Sequence, residues 1–177
     1  NDNEVKIKEV IKEENNYKFI EINNGRIFTD YIEHVAIINK NQIMDFVSYQ
    51  QVKGVFKDPT FNVVIKKGTP KFKKKFNGKV FSLVQGASGN NNYFHWMFDI
   101  LPRLIILEKF YNLNDINFFY CPQIKPWQLS TLSIFNIGND KLINSNLHRH
   151  IQADKILAVS HPWYSKGLIL NEAKNLP

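Results

Sequence analysis

Three ionisable residues, His95, Asp99 and Arg103, recur at four-residue intervals inside a long apolar segment, Tyr93 to Phe110, whose other charged residues, Glu108 and Lys109, lie at its end. On an α-helix, at about 100° per residue, they fall within about 80° of one another. Phe94, Met97, Phe98, Leu101 and Ile105 occupy the opposite arc, and Trp96, Ile100 and Leu107 border the stripe. A helix that is apolar nearly all round belongs inside a protein, where charge is costly unless paired or functional. His95 and Asp99, at i and i+4, can hydrogen-bond, which fixes the imidazole tautomer and raises its basicity. A general base needs that arrangement to take a proton from a hydroxyl. A buried, satisfied His–Asp–Arg triad that only fixes packing has the same spacing. Arg103 offers a fork for phosphate or carboxylate, or neutralises Asp99. Pro102 cannot donate to the carbonyl of Phe98, so the helix should kink there.

The stripe needs a scaffold. A glycine-bearing loop, Gly86-Ala87-Ser88-Gly89, leads into it, and Asn91 or Asn92 can cap the helix. Upstream, the chain reads as strands. Val35–Ile38 and Ile43–Val47 flank Asn39-Lys40-Asn41-Gln42 as a hairpin, and Lys18–Ile22, Phe61–Ile65 and Val80–Val84 are rich in β-branched or aromatic residues. Downstream, helix and strand alternate. Asn117–Tyr120 reads as a short buried strand, Trp127–Phe135 as a helix, and Lys141–Ile143 and Asp154–Val159 as strands. Strands separated by helices predict parallel pairing. The expectation is an α/β fold, with a β-rich segment at 1–84 and a Rossmann-like parallel α/β layer at 85–177. Leu168–Pro177 reads as the start of a further helix, as though the sequence were a piece of something longer.

The run Asn92-Tyr93-Phe94-His95-Trp96-Met97-Phe98-Asp99-Ile100-Leu101-Pro102-Arg103-Leu104 resembles the N-Y-[YF]-H-W…[DE]-x-L-P-R signature of glycosyltransferase family 61. Trp127-Gln128 to Ile137-Gly138 resembles that family's f-Q-x-x-x-L-x-x-L-G-I helix, and the resemblance covers about residues 30–165. Asn90-Asn91 stands where many relatives have Gly-Gly, and the family's second half has no counterpart in the chain. The resemblance implies the N-terminal, acceptor-side lobe of a two-lobed GT-B-type enzyme. That enzyme would be an inverting, metal-independent transferase building bacterial capsular or other surface polysaccharide. Its substrates would be a nucleotide-sugar donor and a glycan acceptor, with no bound cofactor. His95 and Asp99 would be catalytic, either of them serving as the base, and Asn92, Arg103, Gly89 and Trp96 would bind or shape substrate. A non-catalytic carbohydrate-binding or nucleic-acid-binding module is the competing reading.

Net charge is +7, with a pI near 9.4, and the excess is local. Residues 1–52 carry net −3, 53–79 net +8 and 80–177 net +2. A lysine block, Lys66 to Lys79, could meet an anionic membrane, nucleic acid or a phosphorylated substrate, or could be a solvated face. No nucleic-acid-binding motif accompanies it, and the family resemblance, with acceptors that are often lipid-linked, implies peripheral contact with an anionic inner membrane. The single cysteine, Cys121, excludes a disulfide-stapled fold and reads as a buried thiol. Zinc ligation by Cys121, His148, His150 and His161 lacks the spacing of a closed site, and exposed loop histidines are the simpler expectation. No apolar run approaches the ~20 residues of a membrane-spanning helix. The N-terminus lacks the features of a signal peptide, so a cytoplasmic location is expected.

Overall fold

A computed structural model describes residues 4–12, 15–30, 35–48, 50–52, 55–57, 59–84 and 92–162. The chain enters through β1 (Val5–Lys12), β2 (Asn15–Asn23), β3 (Arg26–Thr29), β4 (Val35–Asn39) and β5 (Gln42–Ile43). A separate hairpin, β6 (Gln50–Val52) with β7 (Val55–Lys57), precedes the short helix α1 (Val63–Lys67). Then come β8 (Lys74–Ser82), a helical stretch made of α2 (Tyr93–His95), a π turn (Trp96–Ile100) and α3 (Leu101–Glu108), and β9 (Phe118–Cys121). Helix α4 (Pro126–Ser133), β10 (Leu142–Asn144) and β11 (His150–Val159) complete the described chain.

Strands from both segments, 1–84 and 85–177, form one nine-stranded sheet among the described residues. Its parallel part runs β10-β9-β8-β11. In chain order β9 and β10 add outward on one side of β8, and β11 adds on the other. The direction of winding therefore reverses between β8 and β11. The far edge of β11 is antiparallel to β3 over His150–Gln152 and to β2 over Lys155–Val159, in a register that does not shift. β2 and β3 are thus one long strand broken at Asn24-Gly25. A Cβ on Gly25 would sit 2.9 Å from the Cβ of Ile156, so only glycine lets this bend lie against β11. The remaining pairs, β1 with β2, β3 with β4 and β4 with β5, are antiparallel. The fold is mixed α/β, with parallel strands along one half of the sheet and few helices.

Period-two alternation assigns the faces. Phe19, Phe81, Leu83, Phe119, Leu157 and Val159 point to the side covered by the Tyr93–Glu108 helical stretch and α4. Ile20, Val80, Tyr120, Ile156 and Ala158 point to the other, where Val35, Ile37 and Val47 close over them. Among the described residues no helix is long and apolar enough to cross a membrane.

Two sequence expectations need correction. Phe61–Ile65 is not a strand: residues 59–61 form a 3₁₀ turn and Val63–Lys67 is α1. Asn62 decides this, because its Oδ1 accepts from Val64 N–H while its Nδ2 donates to the carbonyl of Val35 at 2.9 Å. A buried cap outweighs the β-propensity of two valines and an isoleucine. The Val35 hairpin exists, but its second strand stops at Ile43 and 45–47 curl into a 3₁₀ turn. That turn buries Val47 and brings Ser48 Oγ to accept from Ile37 N–H at 3.0 Å. The other expected strands and α4 are present within a few residues, whereas Leu168–Pro177 lies outside the described residues.

Candidate active site

β8 delivers the chain to the carboxyl edge of the parallel strands through Leu83 and Val84, both buried. The helix that follows starts at Asn92, whose Oδ1 accepts from the N–H groups of Phe94 (2.9 Å) and His95 (3.5 Å). Asn92 therefore shapes the helix entry, as expected of a cap. Gly89 lies outside the described residues. The irregularity expected at Pro102 takes the form of a π turn: Leu101 N–H bonds back five residues to the carbonyl of Trp96. Widening the helix just upstream of Pro102 accommodates its missing donor.

His95 and Asp99 meet across this wide turn, with Nδ1 and Oδ2 2.6 Å apart. The carboxylate is 2% exposed and the imidazole side chain 22% exposed. A buried carboxylate accepts the Nδ1 proton and leaves the lone pair of a neutral imidazole on Nε2. Of the two, the imidazole has surface open to an external molecule and the carboxylate has almost none.

Arg103 is fully buried and donates through Nη1 to the carbonyl of Leu83 at 2.9 Å. Burial pulls its pKa down to about 9, while the neighbouring Asp99 favours the charged form. It remains a cation at neutral pH. With no exposed surface it anchors the helix to β8 and balances Asp99. Trp96 also faces inward. It is fully buried, donates from Nε1 to Thr131 Oγ1 at 2.8 Å, and packs edge-on against Trp127. Its place is in the seam between the helix and α4.

The exposed aromatics lie elsewhere on the helix. Tyr93 and Phe94 are 64% and 46% exposed. Phe94 stands edge-on to the His95 ring at 5.7 Å and tilts against Phe98 at 4.8 Å, forming an apolar shoulder beside the imidazole. The wheel placed Phe94 and Phe98 on the arc opposite the polar stripe. In the fold the polar stripe faces inward, because the Arg103 guanidinium finds its acceptor at the end of β8.

Sequence reasoning weighed His161 only as a zinc ligand or an exposed loop residue and did not place it near His95. It lies two residues beyond β11, is 2% exposed, and its pKa is held well below the ordinary histidine value. Burial is the main cause, and the positive charge of Arg103 and of His95 when protonated adds to it. β8 and β11 thus bring Leu83 and His161 to the same end of the sheet, flanking the point where the winding reverses. In open α/β sheets, ligands bind outside the carboxyl ends of strands at such a reversal. The only hint in the sequence was a His-Pro pair directly after an apolar strand.

The other histidines correct the picture of exposed loop residues. His150 is buried, edge-on to Phe28, and His148 rests against Phe76. Cys121 is buried, its thiol pushed up to about 12 by desolvation. Among the described residues, no three His, Cys, Asp or Glu side chains come together as a metal-holding group. Two open concavities, of about 910 Å³ beside Met44 and Val64 and about 490 Å³ beside Glu108 and Phe135, lie away from His95. Compared with protein-family models, curated proteins and solved structures, the chain matches none.

Proposed function

We propose that His95 is the general base of a glycosyltransferase, oriented by Asp99, and that this chain supplies the acceptor side of the site. His95 Nε2 takes the proton of a glycan hydroxyl as that oxygen attacks the anomeric carbon of a nucleotide sugar. The bond to the nucleoside diphosphate breaks, its electron pair leaves with the phosphate, and the anomeric configuration inverts. The reaction class is sugar transfer in surface polysaccharide assembly, in a GT-B-type enzyme whose second lobe would hold the donor.

The observation that carries this reading is the 2.6 Å contact between a reachable imidazole and a buried carboxylate. The Phe94–Phe98 shoulder supports it. A sugar presents hydroxyls on its rim and a C–H face that packs on an aromatic ring, and the two needs are met side by side. The family 61-like signature supports it from the sequence. Asp99, Arg103 and His161 are positioning residues in this scheme.

The test compares His95→Ala and Asp99→Asn in a polypeptide containing this chain and the donor lobe, with radiolabelled sugar transfer as readout. Both should lose about 10²- to 10⁴-fold in kcat while their unfolding curves stay cooperative. Unchanged turnover in both variants would sink the reading.

A further inference from the structure

The amino end of β8, opposite the candidate active site, carries the chain's excess charge. Between Asp58 and Asp99 the sequence contains no acidic residue. Lys66, Lys67, Lys71, Lys74 and Lys75 are exposed and Lys73 is partly so. None of the six forms an ion pair among the described residues. In their midst Phe72 is 82% exposed, the most exposed large apolar side chain of the described residues.

This tip is held rather than loose. His150, at the start of β11, bonds through Nδ1 to the carbonyls of Pro70 (2.8 Å) and Phe72 (3.2 Å). Its Nε2 lies 3.4 Å from Arg26 Nη1, and Arg26 also donates to Thr69 Oγ1 at 3.3 Å. Carbonyls only accept and guanidinium only donates, so Nδ1 carries the proton and Nε2 the lone pair. Two strands of the sheet therefore clamp the 69–72 turn and present Phe72 outward at no further ordering cost.

We propose that segment 66–75 is an interfacial anchor for an anionic lipid bilayer. Phe72 enters the boundary between headgroups and acyl chains, and Lys66, Lys67, Lys71, Lys73, Lys74 and Lys75 form a collar on the acidic headgroups. An apolar side chain ringed by lysines matches the layering of such a surface, apolar inside and negative at its rim. A single-stranded nucleic acid would need successive aromatic platforms. Phe76, the other aromatic of the block, is instead packed against Phe118 and His148. Sugar transfer plays no part in this argument, so the two readings stand or fall separately.

The test is co-sedimentation of the 177-residue chain with vesicles of phosphatidylcholine alone or of phosphatidylcholine mixed with phosphatidylglycerol. The protein should pellet with the mixed vesicles only. Phe72→Ala should weaken this about tenfold, and the triple variant Lys73→Gln, Lys74→Gln, Lys75→Gln about a hundredfold. Phe72→Trp should retain binding and blue-shift its added emission on the mixed vesicles. Phe72 is exposed, so thermal unfolding of its variants should match that of the parent. Equal binding by Phe72→Ala and parent would overturn the anchor. So would binding to polyuridylate without binding to mixed vesicles, which would assign the lysines to nucleic acid.

Discussion

Arg103 Nη1 lies 2.9 Å from the carbonyl oxygen of Leu83, tying the helix that carries His95 and Asp99 to the carboxyl end of β8. Asp99 and Arg103 are both buried, and the carboxylate favours the charged guanidinium. Arg103→Met should lower stability by about 3–5 kcal/mol in urea unfolding at neutral pH, since it removes the buried tie to Leu83 and a positive charge beside Asp99. Adding Asp99→Asn should recover part of that loss, because the two residues are coupled. Strictly additive losses would mean that the charges do not speak to each other.

In the proposed transfer reaction, Phe94 would separate binding from chemistry. It is 46% exposed, so Phe94→Ala should change stability by no more than about 0.5 kcal/mol. The same change should raise KM for the glycan acceptor about tenfold with kcat nearly intact, and Phe94→Tyr should restore it. An unaltered KM would remove the shoulder from the acceptor site.

Two histidines predict acid sensitivity. His161 is held well below, and His150 below, the ordinary value, chiefly by burial. A histidine whose folded pKa is depressed binds its proton more readily in the unfolded chain. Stability is then complete above the unfolded value of about 6.5 and falls as pH drops below it, until the folded value is reached. Urea unfolding between about pH 7.5 and pH 5 should show a loss of at most about 1.4 kcal/mol per pH unit per histidine. His161→Gln should flatten the slope, and a slope of the opposite sign would contradict the burial of these rings.

Gly78 is fixed by its surroundings. Its φ is +90°, and a Cβ there would lie 2.6 Å from Asn117 Cγ. Asn117 Oδ1 accepts from Lys79 N–H at 2.8 Å, so the neighbour cannot move away freely. Gly78→Ala should cost about 1–3 kcal/mol, readable as a lowered melting temperature.

Cys121 should be silent towards thiol reagents in the native state. Burial and a pKa near 12 leave almost no thiolate at neutral pH. An aromatic disulfide reagent should label it only at the rate at which the protein opens, so denaturant should accelerate labelling in step with unfolding.

Much of the parallel half was readable because its strands are buried on both faces. Val80–Val84, Asn117–Tyr120 and Asp154–Val159 each hold a short, mainly apolar run behind polar residues, and that pattern has few other solutions. The His95–Asp99 contact was readable from spacing, since i and i+4 are neighbours in any helix. What failed was decided by distant partners. Asn62 reaches Val35 across the sheet, and no local window over Phe61–Ile65 contains that bond. The wheel located the polar stripe, but its inward aim depends on Leu83, twenty residues upstream. His161 joins Arg103 only because β11 lies beside β8, a pairing that chain order does not reveal. The mixed character of the sheet has the same origin: β2 and β3, read as an ordinary entry segment, close the far edge of β11.

β8 has a clamped aromatic tip at one end and the Leu83 carbonyl at the other. Its nine residues span at most about 30 Å at about 3.3 Å each. The strand therefore works as a spacer. A chain seated on a bilayer by its lysine end would carry His95 as a crane carries its hook, a fixed height above the headgroups. Sugars attached directly to lipid would lie beneath that reach, and only a glycan already grown outward would meet the imidazole. Strand length would then act as a gauge, selecting chain ends over chain starts by height alone.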